Sequence, residues 1–504
     1  MKYILKPDEM RLADSIAMND FNIPSSILME NAARSASIII KKLIKDKEIP
    51  YNKFLFFCGC GNNGGDGFAL ARHLFEEFEV MIYWIGREEK MTNETRTNFE
   101  ILKKLNLPIF HFSDAQELNN IDINHKCIID AMIGVGGSEN IKGIALDILK
   151  KIDHSDSFKI AIDTPTGLNT ETGIANPNCF KADVTITMSA IKKGMLLNDG
   201  LDVCGKIYEA NIGAPSSIIK KISKTYVLEN DDIKNLISKR NRKTSKFDYG
   251  KVYILAGSKK YPGAAALTAN STIKSGAGLV YLLSTSFHSS LLPEIIPIQL
   301  PSTDEGTISF TAFDYIINEI KKADVLTIGP GLGDNKETIQ LVKKIIYTIK
   351  NLPIVIDADG LRFIENDTIL RKNIIITPHY GEFSRITNFN IKEIEINSYN
   401  YAKELAKKLN CIVLLKGVPS IITDGDITYL NITGNPGMAS GGSGDVLTGI
   451  ISGLLARGLE PIKSASVGAF IHSLAGDSYA EHFSQETLTA TSILESLIHV
   501  FPKL

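Results

Sequence analysis

The chain is predicted to be a two-domain α/β protein, each domain an α/β/α sandwich, and three observations predict it. Its 504 residues exceed the roughly 250 to 300 that a single hydrophobic core usually serves. Short apolar runs that end in glycine-containing turns occur in two separate series, each interleaved with longer helical patterns. A polar, basic and aperiodic stretch, SKRNRKTSK at 238–246, lies within the break between them and reads as a solvated connector. The expected domains are 1–220 and 221–504.

Composition excludes several classes. The 44% hydrophobic and 22% charged content is that of an ordinary soluble globular protein. A formal net charge of −2 gives no global attraction to nucleic acid or to an acidic membrane. The six cysteines are scattered without metal-finger spacing, so buried reduced thiols are expected. Residues 1–22 carry Lys2, Lys6, Asp8, Glu9, Arg11, Asp14 and Asp20, which leaves no apolar core for a signal peptide. No uncharged run reaches the roughly 18 residues of a membrane span. A cytoplasmic enzyme is expected.

In chain order, Met10, Ala13 and Ala17 at helical spacing predict a packing helix over 7–19, and a second follows over 27–40. Strands are expected at 54–57, 80–85, 127–129, 159–162 and 184–188. FLFFCGCGNNGGDGFALARHL, at 54–74, reads as a buried strand, a tight glycine turn and a helix from about Asp66, an arrangement that binds nucleotide phosphates. It lacks the common dinucleotide spacing, and Asn62, Asn63 and Asp66 add side-chain oxygens suited to a ligand or hard cation, or to a helix cap. Two further strand ends, DAMIGVGGSE from Asp130 and DTPTG from Asp163, would share one edge of a parallel sheet with them. A fourth strand leads to AIKKG, where Lys192 or Lys193 faces the same crevice or solvent.

In this order, NNGGDG, the Asp130 strand end, DTPTG and AIKKG resemble the YjeF amino-terminal domain family, whose members include NAD(P)H-hydrate epimerases. The resemblance implies a Rossmann-like first domain. It implies that Asn62, Asn63, Gly64, Gly65 and Asp66 hold the hydrated nucleotide, together with Asp163 and the loop Gly134, Val135, Gly136, Gly137, Ser138, Glu139 and Asn140. It further implies a potassium ion on Asn63, Asp130 and Thr166, the last standing where serine is more usual. Asp163 and Lys192 are the choice for proton transfer at the hydrated ring carbon, which inverts if its oxygen leaves and returns.

Strands of the second domain are expected at 252–255, 279–283, 325–328, 354–356, 374–377 and 412–415. Small residues in YPGAAA, KSGAGL and IGPGLG allow close approach of ligand or of backbone. DADG places Asp357 and Asp359 after a strand, either to orient magnesium or to cap the next helix. TPHYGE puts His379 and Glu382 at a strand end, and LLKGVPS ends a buried strand in Lys416. The most pointed segment is GNPGMASGGSGDVLTGIISGLL from Gly434. Its glycine loop can turn backbone amides toward an anion at the start of a helix expected over 446–455, with Asp445 placed to take a proton.

This set resembles the ribokinase-like carbohydrate kinases, and its motif order is most similar to NAD(P)H-hydrate dehydratase. The resemblance implies that Ala265, Gly331 and His379 contact the hydrate and that Asp445 faces its hydroxyl. The nucleotide cosubstrate would lie on Lys416, Gly417, Val418, Pro419 and Ser420, and on Asn435, Pro436, Gly437, Met438, Ala439, Ser440, Gly441, Gly442, Ser443 and Gly444. Ser443 replaces a more usual threonine. Hydroxide leaves poorly, so phosphoryl transfer from ADP or ATP with magnesium would make a leaving group, and elimination would restore the dihydropyridine. In bacterial members the donor is usually ADP; the family often forms large assemblies, so a homo-oligomer is expected. The competing readings are a small-molecule kinase of the ribokinase class and a non-catalytic nucleotide-binding first domain.

Overall fold

The run Phe54, Leu55, Phe56, Phe57 and Cys58 is buried on both faces, as a central parallel strand requires. Phe54, Phe56 and Cys58 point into one core with Met10, Ala32, Leu70 and Leu74, while Leu55 and Phe57 point into another with Ile148 and Ile152. Helices therefore cover the sheet on both sides.

The computed structural model describes residues 1–112, 114–135 and 141–501. It divides into two units, Lys2–Thr225 and Tyr226–Leu504, the latter with Met1. In the first, seven parallel strands run across the sheet in the order Ile109–Phe112, Glu79–Ile85, Lys53–Cys58, Cys127–Ala131, Phe158–Ile162, Val184–Met188 and Lys206–Ala210. Chain order reverses between Lys53–Cys58 and Cys127–Ala131, so the loops after these strands part and open a crevice.

The second unit repeats the plan. Ile295–Gln299, Leu279–Ser284, Lys251–Leu255, Val325–Ile328, Ile354–Ile356, Ile374–Ile376 and Ile412–Leu415 are parallel, and Ser420–Thr423 and Thr428–Asn431 follow antiparallel. Against this sheet the helices Pro262–Lys274 and Ser443–Ala456 approach closely. A Cβ on Gly449 would lie 1.9 Å from Ser271 Oγ, and one on Gly453 2.7 Å from the Thr272 carbonyl. This contact fixes the helix whose first turn carries Asp445.

Every strand expected from the sequence is present. Those not expected have weaker signals: Ile109–Phe112 and Lys206–Ala210 are half-exposed edges, Ile295–Gln299 is an edge that tolerates Pro297, Ser420–Thr423 and Thr428–Asn431 form a hairpin, and Lys2–Leu5, Ile191–Lys192 and Thr225–Val227 are only two to four residues long. Two helix starts need correction. The helix expected from about Asp66 begins at Asn62, and that expected at 446–455 spans Ser443–Ala456. In the first, the glycine-rich turn is itself the first helical turn, and in the second Gly442 is the N-cap and Gly444 lies in the first turn; at Gly64 the coil passes so near Gly59 that a Cβ would sit 1.9 Å from its carbonyl oxygen. Among the described residues, no helix is long and apolar enough to cross a membrane. The 238–246 stretch is exposed, with Arg240 stacked 4.1 Å above Tyr249.

Candidate functional site

Strand ends and one helix start build the first unit's site. A cavity of about 570 Å³ opens at the carboxyl edge of the sheet, lined among others by Asn62, Asn63, Asp66, Gly134, Val135, Asp163 and Lys192. Asp163 takes a left-handed backbone, φ 66°, which a short polar residue tolerates better than most. That turn lets its carboxylate accept from the Met188 N–H at 3.0 Å and pair with the Lys192 ammonium. Lys192 is 1% exposed and also donates to Thr187 Oγ1 at 2.8 Å and the Met188 carbonyl at 3.0 Å. The neighbouring Lys193 instead pairs with Glu171, so the two lysines of AIKKG are separated in role.

Four carboxyl groups, those of Asp14, Asp66, Glu94 and Asp163, share the cavity with that one ammonium. Burial, reinforced by Asp163 and Asp14, holds the Asp66 carboxyl well above the usual range. Asp14 was not singled out from the sequence; it lies in the cavity on the helix Pro7–Asn19.

Behind them, Asp130 is fully buried and accepts from the Thr166 N–H and hydroxyl, both at 2.7 Å, and from the Met132 N–H at 3.1 Å. Burial pushes its carboxyl up to about 6 against those hydrogen bonds. The Asn63 amide is buried with neither Oδ1 nor Nδ2 partnered among the described residues, and Gly134 passes beside it. An amide left unsatisfied in this way costs about 1–3 kcal/mol unless something fills its place. Gly136, Gly137, Ser138, Glu139 and Asn140 lie outside the described residues.

The second site grows from three consecutive strand ends. Asp357, His379 and Lys416 follow Ile354–Ile356, Ile374–Ile376 and Ile412–Leu415. Lys416 Nζ donates to Asp357 Oδ1 at 2.9 Å and lies 3.9 Å from Glu382 Oε2, while Thr448 donates to Asp357 Oδ2 at 2.7 Å. Asp357 stands at the N-cap of the 3-10 turn Ala358–Phe363 but its side chain makes no cap hydrogen bond there; its carboxyl is held below the usual range, because burial is outweighed by the Lys416 charge and the hydrogen bonds. Asp359 pins the IGPGLG turn, accepting from the Gly333 N–H at 2.9 Å and Arg362 at 2.8 Å.

Above this pair runs the glycine loop. A Cβ on Gly444 would stand 3.4 Å from Lys416 Nζ, and Gly442 at φ 88° turns the chain into the helix. Asp445 follows in the first turn. Burial, with Asp357 adding and Lys416 opposing, pushes its carboxyl up to about 7. Thr268 donates to both the Asp445 and Ala264 carbonyls, tying this turn to the helix that carries the buried Ala265. Gly331, at φ 69°, abuts Tyr261 and Ala264 from the other side. His379 caps the helix Tyr380–Thr387: its Nδ1 accepts from the Gly381 and Glu382 N–H groups, and its side chain stays 59% exposed.

Along the loop, Asp477 accepts from the Gly434 N–H at 2.9 Å and the Asn435 amide at 2.8 Å, and His472 meets Ser443 Oγ at 3.2 Å. Burial pushes the His472 imidazole down to about 4, so it is neutral. Neither residue was foreseen; their signal is polarity inside an apolar helical stretch, SASVGAFIHSLAGD at 464–477. Farther along, Gly417 lies against Tyr380, Val418 is 82% exposed, and Ser420 returns a hydrogen bond to the Gly417 carbonyl.

Comparison with known proteins assigns each half. Residues 25–194 match the model of the YjeF-related protein N-terminus, and 252–499 that of NAD(P)H-hydrate dehydratase. A bifunctional NAD(P)H-hydrate repair enzyme of Moorella thermoacetica is 33% identical, covering 100% of this chain and 97% of its own length. That of Thermofilum pendens is 32% identical over 98% and 95%. Among solved structures, a ribokinase-like superfamily protein of Enterococcus faecalis matches 55% of this chain and 98% of its own, at 27% identity and a TM-score of 0.49. With both family models in sequence and full-length relatives on each side, the chain belongs to the family of bifunctional NAD(P)H-hydrate repair enzymes.

Proposed function

We propose that the chain repairs hydrated nicotinamide nucleotides, its first unit interconverting the R and S hydrates and its second dehydrating the S hydrate at the expense of a nucleoside di- or triphosphate. The observation that carries the second half is Asp445, a carboxyl poised near neutrality in the first turn of a glycine-led helix. It takes the ring hydroxyl's proton; the freed oxygen bonds to the donor's terminal phosphorus as the phosphoanhydride bond breaks. Phosphate then leaves with the C–O electrons, and loss of the neighbouring C–H proton restores the dihydropyridine.

Helix-start amides from Gly442 to Asp445 face the developing phosphoryl charge. The half-buried Lys416 is held by Asp357 close beneath Gly444, where its charge serves the same region. Among the described residues no three His, Cys, Asp or Glu side chains form a metal cluster, which fits a magnesium ion that arrives on the phosphates. When bound, such an ion would offset phosphate charge.

In the first unit the Asp163–Lys192 pair faces the cavity and moves protons at the hydrated carbon. For potassium, Asn63, Asp130 and Thr166 supply neutral and anionic oxygens, and the unpartnered Asn63 Oδ1 fits a cation ligand. A potassium ion there would offset the charge of Asp130 and of bound phosphate.

The test is the full-length protein with each hydrate epimer, magnesium and ADP or ATP, read by absorbance of regenerated NADH. Asp445→Ala is expected to stop dehydration of the S hydrate while epimerisation persists, and Asp163→Ala to slow only the R hydrate. No regeneration by the unaltered protein with either nucleotide would refute the reading.

A further inference from the structure

Two carboxylates in the first cavity, Asp14 and Glu94, are unexplained by the motifs that built the site, and Glu94 is taken up by the Ser25 hydroxyl, which leaves Asp14. The helix Pro7–Asn19 presents Pro7, Met10, Arg11, Asp14 and Met18 to the cavity, a single helical stripe at i, i+3, i+4, i+7 and i+11. Met10, Ala13 and Ala17 anchor the helix in the core. Packing alone would be served best by an apolar residue between Met10 and Met18, because a half-buried carboxylate costs free energy unless it has work. The stripe also lies outside residues 25–194, the part that matches the family model.

Inversion at the hydrated carbon makes two demands. Departure of the hydroxyl needs a proton, as the ring nitrogen's electron pair forms the C=N bond and water leaves. Return of water to the other ring face needs a group that accepts a proton, so that the balance is one proton in, one out. Asp163 and Lys192 stand together at strand ends, whereas Asp14 reaches the same cavity from a helix. We propose that Asp14 is the second acid–base group of epimerisation, serving the ring face that the Asp163–Lys192 pair does not; this rests on the epimerase reading of that cavity.

The remaining titratable groups facing the cavity are Arg11, which pairs with Asp8, and Asp66, Glu94, Asp163 and Lys192. Burial, opposed by Lys192 and reinforced by Asp163, pushes the Asp14 carboxyl up to about 6, where it both gives and takes a proton near neutrality.

The test compares unaltered protein with Asp14→Asn and Asp14→Glu, all full length, for conversion of purified R hydrate without nucleotide donor. Asp14→Asn is expected to lose about 100-fold or more in epimerisation, within the range for removed acid–base groups. It should keep S-hydrate dehydration and NADPH affinity within about threefold, and the acid limb of the epimerisation profile should vanish; Asp14→Glu should recover part of the rate. Epimerisation by Asp14→Asn within about threefold of the unaltered protein would overturn the proposal. So would a joint loss of NADPH affinity in both variants, which marks a packing role. An unaltered protein no faster than spontaneous epimerisation would instead remove the reading beneath it, and the proposal with it.

Discussion

Replacing Asp445 by asparagine should abolish dehydration and yet stabilise the second unit. Its carboxyl is raised from 3.8 to about 7, first by burial and then by Asp357. An acid whose folded value is raised binds its proton more readily folded than unfolded. Stability is therefore lost as pH rises from 3.8 to about 7, and the loss is complete above that. At about 1.4 kcal/mol per pH unit the full cost is about 4 kcal/mol. The amide recovers less, because its own desolvation costs about 1–3 kcal/mol, leaving an expected gain of about 1–3 kcal/mol at pH 8.

That gain should shrink as pH falls and be gone by pH 4, where the unaltered carboxyl is protonated in the folded state and about half protonated in the unfolded one, so that little of the displaced titration remains. The assay is urea unfolding of the full chain followed by circular dichroism and tryptophan fluorescence. The chain's one tryptophan, Trp84, lies in the first unit, so ellipticity changes without a fluorescence change report on the second. No gain at pH 8 would refute the reasoning, as would a gain of equal size at pH 4 and pH 8, since neither follows from a buried, displaced titration.

Two further outcomes are expected. If Asp445 is the base, kcat/KM for dehydration should fall tenfold per pH unit below about 7 and level above it; a profile flat to pH 5 would exclude it. Asn63→Leu removes a buried amide with no partner and should stabilise the potassium-free first unit by about 1 kcal/mol while abolishing any potassium response of epimerisation. A response to potassium equal to that of the unaltered protein in epimerisation and thermal unfolding would show that Asn63 is no ligand.

Much of both sites was legible because their signals are local. A buried apolar run followed by NNGGDG, or by DTPTG, fixes a strand and the turn at its end within a few residues, and a parallel sheet then gathers such ends at one edge. The sequence pattern places helix entry too late at both Asn62 and Ser443, because glycine is a poor helix former on average and only the close approach of Gly64 to Gly59 and of Gly449 to Ser271 makes it the residue that fits. Asp477 and His472 escaped notice because each is one polar residue in an apolar helix, with a partner far along the chain.

By itself the sequence determined two α/β units, the strand ends that carry Asp163, Lys192 and Lys416, the glycine-led helix start that carries Asp445, and the resemblance that joins them. Tertiary structure decided what those groups are to one another. Lys416 is committed to Asp357 and Thr448 holds that carboxylate from the other side; Asp14 enters a cavity its own helix gave little reason to expect. The physical reason is one of range: apolar periodicity and turn chemistry act between neighbours in sequence, while desolvation and charge coupling depend on what packing brings near, and these set the protonation of Asp14 and Asp445.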